Sequence, residues 1–139
     1  MPSAADHVTR AIEANGGAIR FDAFMQSALY GPEGFYNVGG RAGRRGDFIT
    51  SPEVGPLFGA VLARALDAWW VEMGSPDDFR VFEVGAGPGT LARSVLAAGP
   101  ECLRDDHSNY VCVETSATQR DSHPEGVTSL AFLPAGELR

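Results

Sequence analysis

Arg80-Val-Phe-Glu-Val-Gly-Ala-Gly-Pro-Gly-Thr-Leu91 is the stretch whose reading decides the fold. Val81, Phe82 and Val84 are β-compatible, glycines follow at 85, 87 and 89, and a helix-like run begins at Thr90. This order predicts a buried strand, a sharp turn and a helix. Glycine suits such a turn because the backbone must reach conformations closed to residues with a Cβ, and because a ligand must approach the main chain. Glu83, at the strand's end, adds a carboxylate beside the turn. That group suits a hydroxyl- or ammonium-bearing nucleoside ligand better than a bare phosphate.

The sequence on either side extends the pattern. Downstream, residues 90–98 read as a short helix with Leu91, Val95 and Leu96 inward. Tyr110 to Val113 read as a second strand ending in Glu114, and Val127 to Leu130 as a third. Strand, helix, strand in this order predicts a parallel α/β sheet. Upstream, Ser51-Pro52 predicts a helix start, and Val54, Leu57, Phe58, Val61, Leu62, Ala65, Leu66, Trp69 and Met73 trace one long apolar stripe up to Gly74. Ser3 with Asp6 predicts a capped first helix ending at Gly16-Gly17. Asp22 is the expected N-cap of a second, closed by Gly31-Pro32. From Gly31 to Gly46 the chain is rich in glycine and carries Arg41, Arg44 and Arg45, which reads as a loop over a site. The expected division is a helical region with its loop over residues 1–78 and the sheet over 79–139.

The 139 residues are 44% hydrophobic and 21% charged, an ordinary globular composition for about one domain. A net charge of −7 argues against a broad nucleic-acid-binding face. No apolar run approaches the roughly 20 residues that span a bilayer. The amino terminus lacks a secretory signal, so the default expectation is a cytoplasmic protein. Cys102 and Cys112 lack metal-site spacing and read as free thiols; no metal is expected. His7, His107 and His123 read as solvent-exposed residues of a helix and two polar loops.

Three patterns compete for the glycine turn. A dinucleotide site wants G-x-G-x-x-G, and Thr90 stands where the third small residue belongs. The P-loop pattern fails because no Gly-Lys-Ser/Thr follows. What remains is E-x-G-x-G-x-G, the pattern of S-adenosylmethionine (SAM) sites in class I methyltransferases, with a ligand-free structural turn as the plainer alternative. Glu83, Gly85, Ala86, Gly87, Gly89 and Thr90 are then the candidate cofactor-binding residues. Glu114, at the end of the next strand, can accept hydrogen bonds from two ribose hydroxyls.

The segments Phe21-Asp-Ala-Phe-Met-Gln-Ser-Ala-Leu-Tyr-Gly-Pro-Glu-Gly-Phe-Tyr36 and Gly46-Asp-Phe-Ile-Thr-Ser-Pro-Glu-Val-Gly-Pro-Leu-Phe-Gly59 resemble the signature of MidA-like methyltransferases. The resemblance implies a Rossmann-like class I fold, SAM as cofactor and a protein substrate methylated on arginine. It further implies that Gly46 to Thr50 folds over the cofactor, and that the helix after Ser51 packs beside the glycine turn. Asp47, Thr50 and Glu53 join the candidate cofactor-binding residues on this ground. Tyr30, Phe35 and Tyr36 read either as the wall of a substrate groove or as local packing.

The chain departs from that family in two places. Thr115 to Gly126 is short for the family's helix there, and Asp121, His123, Pro124 and Gly126 would end any helix early. Residues 80–139 supply three strands, where a methyltransferase sheet normally has seven. The expectation is therefore a partial Rossmann-like sheet belonging to the amino-terminal portion of a longer enzyme. A catalytically incomplete SAM-binding or interaction module, self-associating through an open sheet edge, is the alternative. A nicotinamide-dependent oxidoreductase is disfavoured by Thr90.

Overall fold

A computed structural model describes residues 2–38, 51–104 and 106–136. The chain divides into two compact units, Met1–Arg41 and Ala42–Arg139.

In the first unit, helices α1 (Ala4–Ala14) and α2 (Phe21–Tyr30) pack together. Ser3 and Asp6 form a full capping box on α1, each side chain bonding the other's backbone N–H. The N-cap of α2 is Arg20 rather than Asp22, which instead lies in the first turn and pairs with the Arg20 guanidinium at 3.0 Å. There its negative charge still complements the helix dipole. After α2 the chain folds back on itself. Phe35 and Tyr36 N–H donate to the carbonyls of Ala28 and Leu29, and the Asn37 amide donates to those of Tyr30 and Gly31. Tyr30 stacks on Tyr36, and Phe35 meets Tyr36 edge-on, so these aromatics pack locally.

The second unit is α/β. Its sheet has three parallel strands in the order β1 (Val81–Val84), β2 (Tyr110–Val113), β3 (Thr128–Leu130). Val81 to Val84 align with Tyr110 to Val113, and Val111 to Val113 with Thr128 to Leu130. The parallel connection from β1 to β2 needs a crossover, which α5 (Thr90–Ala97) provides. The one-turn helix α6 (Ala117–Arg120) links β2 to β3 and ends as the Asp121 to Gly126 composition requires.

The single helix expected from Ser51 is instead two: α3 (Ser51–Val54) and α4 (Pro56–Glu72). Pro56 causes the break. It disfavours helical geometry at Gly55, which is extended, and lacks the N–H an uninterrupted helix would use. As the first residue of α4, that missing donor costs nothing. Gly59, Ala63 and Leu66 form the buried edge of α4. They meet α5 and the sheet face in a core of Ala86, Ala92, Val95, Leu103, Tyr110 and Cys112. The helices approach so closely at Gly59 that an added Cβ would sit 2.7 Å from the Ser94 carbonyl carbon. α3 also lies against α5. No helix among the described residues is long and apolar enough to cross a membrane.

Candidate cofactor site at the glycine turn

The turn between β1 and α5 is registered on β2. The N–H groups of Gly85 and Ala86 both donate to the Val113 carbonyl, at 2.8 and 3.1 Å. Gly85, Gly87 and Gly89 have φ of 78°, 54° and 76°, all in the left-handed region. A residue with a Cβ pays about 1–2 kcal/mol there. Space distinguishes the three. Beside Gly85 and Gly87 an added Cβ meets no atom of the described residues within 4 Å, whereas at Gly89 it would lie 2.8 Å from Pro124 Cδ. Among the described residues, Gly85 and Gly87 thus border open space, and Gly89 is packed. Ala86 is buried in the core, and Thr90 is the half-buried first residue of α5.

Glu114 follows β2 and reaches the turn. Its Oε2 accepts the Gly87 N–H at 3.0 Å, while Oε1 accepts the Ser116 N–H at 2.8 Å and the Thr115 hydroxyl at 3.3 Å. A carboxylate offers about four accepting positions, so this set leaves Oε2 able to take a further hydroxyl. The Glu114 carbonyl is held in turn by Arg120 Nη1 at 2.6 Å.

Glu83 faces inward. Its Oε2 accepts the Tyr110 hydroxyl at 2.8 Å, and the backbone of Ala92 in the first turn of α5 also favours its charged form. Burial raises its affinity for a proton, and the Tyr110 hydroxyl and the Ala92 backbone oppose the rise. The Cys112 thiol is pushed up to about 12, by burial first and then by the neighbouring Glu83 charge. Burial likewise pushes Cys102 up to about 12, helped by Asp67. Asp67 also accepts the Cys102 N–H at 3.0 Å.

Two contributors to the turn are missing from the sequence reading. His123 is half-buried rather than exposed: its Nε2 lies 2.9 Å from the Gly87 carbonyl and its Nδ1 2.8 Å from Ser129 Oγ. Arg93 on α5 donates to the carbonyls of Pro88 (2.7 Å) and Ser122. One signal points to His123. The segment 114–126 leaves the same end of the sheet at which the glycine turn sits, so a polar residue within it can fold back onto that turn. Asp47 and Thr50, with the loop expected to cover the site, lie outside the described residues. Glu53 falls in α3, but its side chain is also outside the described set. No cluster of three or more metal-ligating side chains occurs among the described residues.

Comparison with known proteins places this geometry in a family. Residues 61–129 match a family described as "putative S-adenosyl-L-methionine-dependent methyltransferase". The chain is 40% identical over 101 residues to the mitochondrial "protein arginine methyltransferase NDUFAF7 homolog" of Drosophila melanogaster, covering 72% of this chain and 23% of that protein. It is 36% identical over 81 residues to the mitochondrial "protein arginine methyltransferase NDUFAF7" of Homo sapiens, covering 58% of this chain and 18% of that one. The crystal structure of an uncharacterized protein from Burkholderia thailandensis superposes with a TM-score of 0.63 at 33% identity, covering 94% of this chain and 35% of that one. The chain thus spans about a quarter or less of the length of the curated relatives it matches. Their mitochondrial names overturn the cytoplasmic expectation, which rested only on the lack of a signal segment. This chain belongs to the MidA-like family of S-adenosyl-L-methionine-dependent methyltransferases.

Proposed function

We propose that the chain supplies the cofactor-binding part of a methyltransferase acting on a protein side chain, arginine in particular. The observation that carries the reading is the space left open by the described residues beside Gly85 and Gly87, with the Glu114 carboxylate at its border. A cradle that a Cβ would fill, next to an acceptor for hydroxyls, fits the nucleoside of SAM. Gly85 and Gly87 would let the ligand reach the main chain, and Glu114 Oε2 would accept a ribose hydroxyl. Thr90, at the start of α5, would offer a main-chain donor with no partner inside the helix. Ala86, Gly89 and Glu83 would hold the shape of the turn, and Asp47, Thr50 and Glu53 would cover it.

When bound, SAM supplies a methyl group on a sulfonium, an excellent leaving group. The protein's part is then chiefly to position the reactants and exclude water. An arginine acceptor further needs carboxylates to orient its guanidinium and accept its proton. Arginine as the acceptor rests on the names of the relatives.

Calorimetric titration with S-adenosylhomocysteine tests the cofactor reading: saturable binding is expected, and its absence from well-folded protein refutes it. Transfer of a labelled methyl group to arginine peptides tests the acceptor. A non-catalytic interaction module is the second reading, supported by the exposure of Val84 on β1 and of Phe132. It requires self-association in sizing chromatography and no methyl transfer when the cofactor is bound.

A further inference from the structure

We infer that His123 is a positioning residue of the cofactor turn, holding the Gly87 carbonyl while Glu114 holds the Gly87 N–H. The inference rests on the cofactor reading above. Three left-handed glycines in five residues have little conformational preference of their own, and glycine loses more chain entropy on ordering than any other residue. Such a turn stays in one shape only if outside contacts hold it.

The middle glycine is gripped through both of its backbone polar groups. The N–H of Gly87 goes to Glu114, and its carbonyl goes to His123 Nε2. A carbonyl only accepts, so Nε2 carries the proton in this contact. In the neutral ring Nδ1 then accepts from the Ser129 hydroxyl, which ties the imidazole to β3. Pro124 packs where a Gly89 Cβ would be, and Arg93 spans Pro88 and Ser122. The segment Ser122 to Pro124 therefore braces the turn at successive residues, and His123 is the member that reaches Gly87.

The test uses three variants of the chain and two measurements. His123→Ala removes the brace, and His123→Gln restores a donor at the level of Nε2. Ser129→Ala frees the far side of the ring while leaving the donor in place. S-adenosylhomocysteine affinity is expected to fall about five- to tenfold in His123→Ala, the scale of one net hydrogen bond, and to recover to within about threefold in His123→Gln. Ser129→Ala should fall between them. In ligand-free protein, amide hydrogen exchange over residues 85–90 should quicken in His123→Ala while residues 111–113 of β2 keep their protection. Unchanged affinity and unchanged local exchange in both alanine variants overturn the inference. So does exchange that rises equally in the turn and in β2, which marks a general loss of stability. Wild-type protein that binds no S-adenosylhomocysteine refutes the cofactor reading instead, and the exchange comparison then decides on the brace alone.

Discussion

Gly87→Ala and Gly99→Ala put the same methyl group on the same kind of backbone and differ in what lies beyond it. Both positions are left-handed, with φ of 54° and 64°, and at neither would the new Cβ meet an atom of the described residues within 4 Å. The backbone strain is about 1–2 kcal/mol in each. Loss of glycine's freedom in the unfolded chain offsets about 0.4–1 kcal/mol of it. The net cost is then about 1 kcal/mol, a fall in Tm of about 4–8 °C for a unit of this size. Thermal unfolding should therefore find the two variants alike. Binding should separate them. Gly99 follows α5, about 12 Å along its axis from the glycine turn. Gly87 lies in the turn itself, where its methyl would occupy the space assigned to the ligand. Calorimetry with S-adenosylhomocysteine should show Gly99→Ala close to wild type and Gly87→Ala weakened by at least about tenfold, or about 1.4 kcal/mol. Equal affinities in the two variants would refute the assignment of that open space to the cofactor.

Other substitutions report on the framework around the turn. Gly59→Ala brings its Cβ to 2.7 Å from Ser94 backbone, where nothing can yield cheaply. The overpacking penalty of about 1–3 kcal/mol should exceed the 0.5–1 kcal/mol or so gained in helix propensity, giving a lower urea midpoint. Glu83→Gln tests the buried carboxylate. Because its folded pKa is raised, Glu83 favours folding below its unfolded pKa, and that contribution is lost as pH rises through the folded value. Wild-type stability should accordingly fall across that window and the variant's should not; parallel pH profiles would count against the burial. Glu114→Gln keeps an acceptor but loses the charge, and is expected to weaken S-adenosylhomocysteine binding by about 1.5–3 kcal/mol, the scale of a charged hydrogen bond. With both thiols pushed up to about 12, iodoacetamide at pH 8 should label Cys102 and Cys112 at least ~10-fold more slowly in folded than in urea-unfolded protein.

The parts of the fold written in local chemistry were legible from the sequence. The β-compatible Val81, Phe82 and Val84, the glycines behind them and the apolar run from Tyr110 to Val113 place both strands and the turn that follows the first. Two local features were misjudged by reading one signal past another. The apolar stripe from Val54 to Met73 runs on through Gly55-Pro56, where the backbone cannot stay helical. Asp22 has an N-cap's chemistry, but the helix begins a residue before it. The site was legible where main-chain conformation demands a residue type, as at Gly85, Gly87 and Gly89. It was less so where long-range geometry decides. Nothing near Glu83 in sequence announces that Tyr110 will take its carboxylate. Nor does the polar composition around His123 show that the ring spans Gly87 and Ser129.

The Val113 carbonyl, shared by the N–H groups of Gly85 and Ala86, makes the turn a by-product of strand pairing. If β2 slipped by one residue, that acceptor would move away and Glu114 would turn to the other face of the sheet. The cradle and its carboxylate would vanish together. The pocket therefore cannot take shape unless the strands have paired in register. Whatever ligand fills the turn then acts as a selector for correct register, stabilising the paired sheet by RT ln(1 + [L]/Kd) and leaving every slipped arrangement unrewarded.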